Sequence, residues 1–158
     1  VHANQTIFPN LNNLLDDYDP SLQIWTDEVY DQQCLSVYRE KYGPQYNPAV
    51  LETDFNGDQI GDYVVCCHNK EEDFVLAFIS ESKNSWKDTL MSRAPVSDYE
   101  DFPRIFLIAN ALRGDYDSPY EDNEIALKHD GFKMIFCEKA AILYYWQDGA
   151  FREFTLSD

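Results

Sequence analysis

After Pro48 the chain breaks into short apolar runs separated by polar turns, and that texture constrains the fold more than any other feature. Residues 63–68, 74–80, 104–110, 132–137, 142–146 and 151–156 each have strand length and are rich in β-branched and aromatic side chains. Between the last two runs stands Asp148-Gly149, a pair that two-residue hairpins favour because both positions need positive φ. The spacing predicts about six strands in a mostly antiparallel sheet, closed by a C-terminal meander.

The residues before Pro48 follow a different period. Tyr30, Cys34, Val37 and Tyr38 recur at helical spacing within residues 26–42. Thr26 is placed to cap that helix, Asp27 and Glu28 fall where its dipole favours acids, and Gly43-Pro44 stops it. Residues 8–19 read as a short helix or turn ending at Asp19-Pro20. The expected fold class is therefore α+β, with an N-terminal helical part (1–48) and a β-rich part (49–158). The 158 residues suit one domain, and neither an internal repeat nor a linker divides them. Residues 80–101 read as a long polar loop pinned by Trp86 and Leu90, with Pro103 bending the segment 99–104. Residues 113–124 form a second polar loop.

Asp54, Asn56, Asp58 and Asp62 crowd the entry to the first strong strand, with Gly57 and Gly61 between them. Stepping by two from Asp54 gives Asp54, Asn56, Asp58, the Ile60 carbonyl and Asp62, and each position offers a hard oxygen of the kind Ca²⁺ requires. Three carboxylates this close repel one another unless a cation intervenes. On this reading Ile60 sends its side chain back to the core, and the ion fixes how the following strand leaves the loop. A solvated turn held by Asx hydrogen bonds is the alternative. A full EF-hand is excluded, because Val65 stands at the position of its bidentate Glu and a strand follows.

The stretch "DFNGDQIGDYVV" resembles the Asp-x-Asn-Gly-Asp-x-x-x-Asp calcium loops of FG-GAP (integrin-like) and VCBS repeats, although Gln59 stands where those loops usually carry Gly. Those families repeat the loop blade after blade; here it occurs once, so the propeller does not carry over. "VYREKYG", "FNGDQIGDYVV" and "EKAAILYYWQDGAFREF" together are similar to small exported bacterial proteins of unassigned function. That resemblance implies a periplasmic or secreted domain and supplies no activity.

Charge narrows the function classes. Against 29 Asp and Glu stand 12 Lys and Arg, a net of -17, which repels nucleic acid and anionic lipid and attracts cations and basic proteins. No run reaches the roughly 20 apolar residues of a membrane-spanning helix. Val1-His2-Ala3 has the form of a signal-peptidase site. Cys34, Cys66, Cys67 and Cys137 lack zinc spacing and permit disulfides. Neighbours in a strand, Cys66 and Cys67 point to opposite faces, so one of them faces the core and can meet Cys34 or Cys137. Four unpaired thiols is the other reading.

Nothing marks a catalytic constellation. His2, His68 and His129 lack metal-ligand spacing, and no Walker, Rossmann or Gly-x-Ser-x-Gly motif is present. Binding fits better: Asp115, Tyr116, Asp117, Tyr120, Glu121, Asp122 and Glu124 interleave tyrosines with carboxylates, a mixture suited to a basic protein surface. Asp115 and Asp117 are also candidate ligands of a second cation. The expectation is an exported, acidic, non-catalytic protein that binds Ca²⁺ and binds or inhibits a basic partner, such as a cationic hydrolase or toxin. The alternatives are a hydrolase using carboxylates or the Cys67-His68 pair, and a structural envelope protein.

Overall fold

The computed structural model describes residues 8–96, 103–104, 106–137 and 139–157; the Val1-His2-Ala3 motif and residues 99–102 lie outside that range. Two helices and eleven strands in three sheets make up the described fold, with 50% strand and 18% helix. The helices-first α+β layout with about six strands is thereby corrected to a mostly antiparallel β fold. The extra strands include one within the N-terminal part (residues 23–24), a long one inside the expected polar loop 80–101, and a small hairpin that flanks the acidic loop.

Helix α1 (Pro9–Tyr18) opens on a proline, whose fixed φ suits a first turn, and buries Leu11 and Leu15. Strand β1 (Gln23–Ile24) and a 3-10 turn (Asp27–Val29) follow. Helix α2 (Gln32–Tyr42) begins later than the sequence suggests. Tyr30 is extended, and Asp31 caps the helix by accepting the Cys34 N–H at 2.9 Å. Thr26 instead donates its hydroxyl to Glu28. The buried face of α2 carries Cys34, Leu35 and Tyr38, while Val37 is 57% exposed.

The remaining strands are β2 (Val50–Thr53), β3 (Asp62–His68), β4 (Glu72–Ser82), β5 (Ser85–Pro95), β6 (Phe106–Ala111), β7 (Gly114–Tyr116), β8 (Ile125–Leu127), β9 (Gly131–Phe136), β10 (Ala140–Gln147) and β11 (Ala150–Ser157). In the first sheet β3 pairs with β4, and β4 with β5. The other edge of β3 is shared end to end by β1, through Ile24 and Cys67, and β2, through Val50 and Val65. The second sheet runs β11-β10-β9-β6, and β7 pairs with β8 alone. At the β10–β11 turn Asp148 (φ 52) and Gly149 (φ 77) adopt the left-handed pair that the Asp-Gly dipeptide predicts.

One apolar cluster draws on α1, α2 and both large sheets. On β3, Tyr63, Val65 and Cys67 share a face with their β4 partners Phe78, Leu76 and Phe74. Tyr18 of α1 lies edge-on to Phe78 at 6.5 Å. On the other side, the Tyr38 hydroxyl donates to the Ile108 carbonyl at 2.7 Å and ties α2 to β6. Phe55, fully buried, crosses from the loop before β3 into the second sheet, 5.7 Å from Phe132 and 5.5 Å from Phe151. A disulfide joins Cys34 to Cys137 across 103 residues, whereas Cys66 and Cys67 are buried and free. The expected bridge through the Cys66-Cys67 pair is thus corrected: α2 and the end of β9 supply the partners.

Candidate functional site

The loop between β2 and β3 is built by its own carboxylates. Asp54 Oδ1 accepts the N–H groups of Gly57 (2.7 Å) and Asp58 (3.1 Å), and its Oδ2 accepts that of Gln59 (2.8 Å). Asn56 Oδ1 takes the Asp58 N–H at 3.1 Å, and Asp58 Oδ1 the Ile60 N–H at 2.8 Å. These Asx turns force a tight path through positive φ at Gly57 (80°) and Gln59 (68°). The position where the resembling calcium loops carry Gly is therefore one that favours Gly. Gly61 lies outside the positive-φ set; it leaves room for Glu52, and its carbonyl accepts the Trp86 indole N–H at 2.9 Å.

Asp62 differs from its neighbours in being wholly buried. Its Oδ2 accepts the N–H groups of Phe55 (2.7 Å) and Asn56 (3.4 Å), and its Oδ1 accepts the Ser80 N–H and hydroxyl, both at 2.7 Å. Burial pushes this carboxyl above its ordinary range, against the pull of those donors. Ser80 on β4 also contacts Asp58 Oδ2 (2.7 Å), and its carbonyl accepts Asn56 Nδ2 at 2.9 Å. Ser80 is thus the hub that fastens the loop to the first sheet. In the sequence this role is invisible, because a serine ending an apolar run carries no signal of its own.

As a cation site the loop has the right atoms in a committed arrangement. Each carboxylate offers about four lone pairs. Four donors occupy Asp62, while Asp54, Asp58 and Asn56 retain acceptor capacity. Ile60 is only half-buried, and Phe55 rather than Ile60 anchors the loop in the core. Among the described residues no group of three or more His, Cys, Asp and Glu is arranged to hold a metal ion. The Asx hydrogen bonds that the sequence suggests are present in the turn. Beside the loop, the exposed His129 packs its ring on Gly57, in the wall of a cavity of about 410 Å³ that Asn56 and Trp146 also line.

The acidic segment 115–124 divides into anchors and exposed groups. Glu121 accepts the Thr155 N–H of β11 at 2.7 Å, Tyr116 donates to the Leu112 carbonyl at 2.7 Å, and Ser118 is buried. Asp115, Asp117, Asp122 and Glu124 are exposed, as is Tyr120 at 53%. Asp117 caps the Ser118 N–H at 2.8 Å. The anchors lock the segment to the edge of the second sheet, so four carboxylates and a ring stand on a fixed support.

Of the cysteine and histidine candidates, Cys67 is buried and its thiol is pushed up to about 12 by burial, leaving little thiolate at neutral pH. His68 Nδ1 lies 3.3 Å from the Asn69 carbonyl. A buried ion pair, which nothing in the sequence marks, joins Arg104 to Asp73 at 2.8 Å, and the Arg104 guanidinium lies over the Trp25 ring. No helix among the described residues is long and apolar enough to cross a membrane. Comparison with protein-family models, with curated proteins and with solved structures finds no match to this chain.

Proposed function

We propose that this chain is an exported, non-catalytic acidic protein that captures a basic protein through the 115–124 segment, with Ca²⁺ held in the 54–62 loop as a structural ion. The observation that carries the reading is the acidic surface of one segment: Asp115, Asp117, Asp122, Glu124 and Tyr120 are all exposed, on a support pinned by Glu121. A pinned segment loses little freedom on binding, and a net charge of -17 steers a cationic partner towards it. The disulfide suits an oxidising compartment. For the ion, the support is the donor set of the loop and the acceptor capacity left on Asp54, Asn56 and Asp58; water would complete the shell.

The test is a binding and inhibition screen against cationic cell-wall hydrolases at low and high salt. The reading expects at least one partner whose affinity falls with salt. That affinity should drop by roughly tenfold or more on replacing Asp115, Asp117 and Asp122 with Asn and Glu124 with Gln together. Binding that ignores both salt and the fourfold replacement would overturn it.

A further inference from the structure

Cations are scarce in this chain, 12 Lys and Arg among 158 residues, and three of them converge on one groove. Lys41 stands in the last turn of α2, Lys133 in the middle of β9, and Lys139 in the turn between β9 and β10. With Tyr42, Ala141 and Ser157 they line a cavity of about 420 Å³. No described carboxylate lines it, although acids outnumber bases 29 to 12 in the chain. No described ion pair engages any of the three lysines. Among the described residues that line it, every charged side chain is a lysine.

The floor of the groove is fixed. Lys41 Nζ lies 5.4 Å and Lys133 Nζ 5.7 Å from the centroid of the same Tyr42 ring. Tyr42 packs on Tyr38 at 4.9 Å, and Tyr38 is itself fastened to the Ile108 carbonyl. Each of these two ammonium groups makes a cation–π contact with the ring, and Lys139 lines the same groove, so three like charges share one small volume that an anion would neutralise.

We propose that this groove binds a compact, multivalent oxyanion of the phosphate type. The ammonium groups of Lys41, Lys133 and Lys139 supply charge-assisted hydrogen bonds, and Tyr42 supplies the floor. Size and field select the ligand. The cavity falls in the range of small-molecule sites, roughly 300–1,000 Å³. The net charge of -17 opposes the approach of an extended polyanion or an anionic bilayer, but screening at ordinary ionic strength admits a small ion.

The experiment is calorimetric and NMR titration with inorganic pyrophosphate at low ionic strength, in calcium-free buffer, with a parallel arm using phosphatidylglycerol vesicles. One saturable site is expected, with shifts centred on Tyr42, Lys133 and Ala141. Lys41→Gln, Lys133→Gln and Lys139→Gln combined should weaken it by roughly tenfold or more. Lys70→Gln with Lys83→Gln, which removes charge elsewhere, should leave it within about twofold. Should the triple variant fail to fold, Lys139→Gln alone, at an exposed turn, should still weaken binding several-fold. Absence of a saturable site, equal weakening by the control pair, or binding confined to vesicles would each overturn the proposal.

Discussion

Asp62 Oδ2 accepts the backbone N–H of Phe55 at 2.7 Å, so the carboxylate that closes the loop also positions the ring that joins the two sheets. Phe55 is fully buried against Phe132 and Phe151. Phe55→Ala should lower unfolding free energy by about 3–5 kcal/mol, and Asp62→Ala by about 1–3 kcal/mol, because it strands the N–H groups of Phe55 and Ser80. Urea denaturation of both single variants and the double variant should show losses that do not add, since the carboxylate holds the backbone that aims the ring.

The same carboxylate sets a pH dependence. Burial raises the Asp62 pKa in the folded protein above its unfolded value, so the native state holds the proton more tightly. Its contribution to stability is full below the unfolded pKa of about 3.9 and is lost as the pH rises through the raised folded value. The difference in unfolding free energy between the wild type and Asp62→Asn should therefore shrink from pH 3 towards neutrality. A difference that grows with pH would contradict this.

Two backbone positions in the loop should respond in opposite directions. Gly57 has φ 80°, and a Cβ there would lie 2.2 Å from the His129 ring, so Gly57→Ala should cost about 1–2 kcal/mol. His129→Ala should recover only the part due to the clash. Gln59, at φ 68°, should gain up to about 1 kcal/mol on replacement by Gly. Thermal melts of the three variants test both directions.

Calcium, if bound with the weak affinity of extracellular modules, Kd of about 10⁻⁴–10⁻³ M, should raise stability by about 1.4 kcal/mol at tenfold excess over Kd. Chelator should reverse the gain, and Asp54→Asn with Asp58→Asn should abolish it. A melting temperature indifferent to Ca²⁺ would leave the loop as a hydrogen-bonded turn alone.

The cysteines should separate into two classes. Native protein should show no reactive thiol towards an aromatic disulfide reagent, because burial raises the pKa of Cys66 and of Cys67, the latter to about 12. Denatured, non-reduced protein should show both. Replacing Cys34 and Cys137 with Ser should cost about 2–4 kcal/mol.

What the sequence made legible follows from burial. β3 and β4 are covered on both faces, so their residues form unbroken apolar runs. The β10–β11 turn was legible because Asp-Gly carries its own backbone preference. β5 was not: it lies at the end of the first sheet's strand order, seven of its eleven residues are exposed, and a register shift opposite Val75 and Leu76 breaks its alternation, so it looks like a loop. Trp86 does pin it, but Leu90, expected to do the same, is 47% exposed. The start of α2 was misplaced because Thr26 and Asp31 are both capable caps, and only the extended Tyr30 decides between them. In the candidate loop the spacing of oxygens was visible. Their commitment to Ser80 was not, because that partner lies 18 residues beyond Asp62 and meets it only through strand pairing.

The Cys34–Cys137 bond closes a covalent ring through α2 and the end of β9 that contains every strand from β2 to β9. A single proteolytic nick anywhere inside that ring would leave both fragments tethered, each still held in its sheet. A protease could thus cut the chain once without releasing a piece, and the damage would become visible on a gel only after a reductant had opened the bridge.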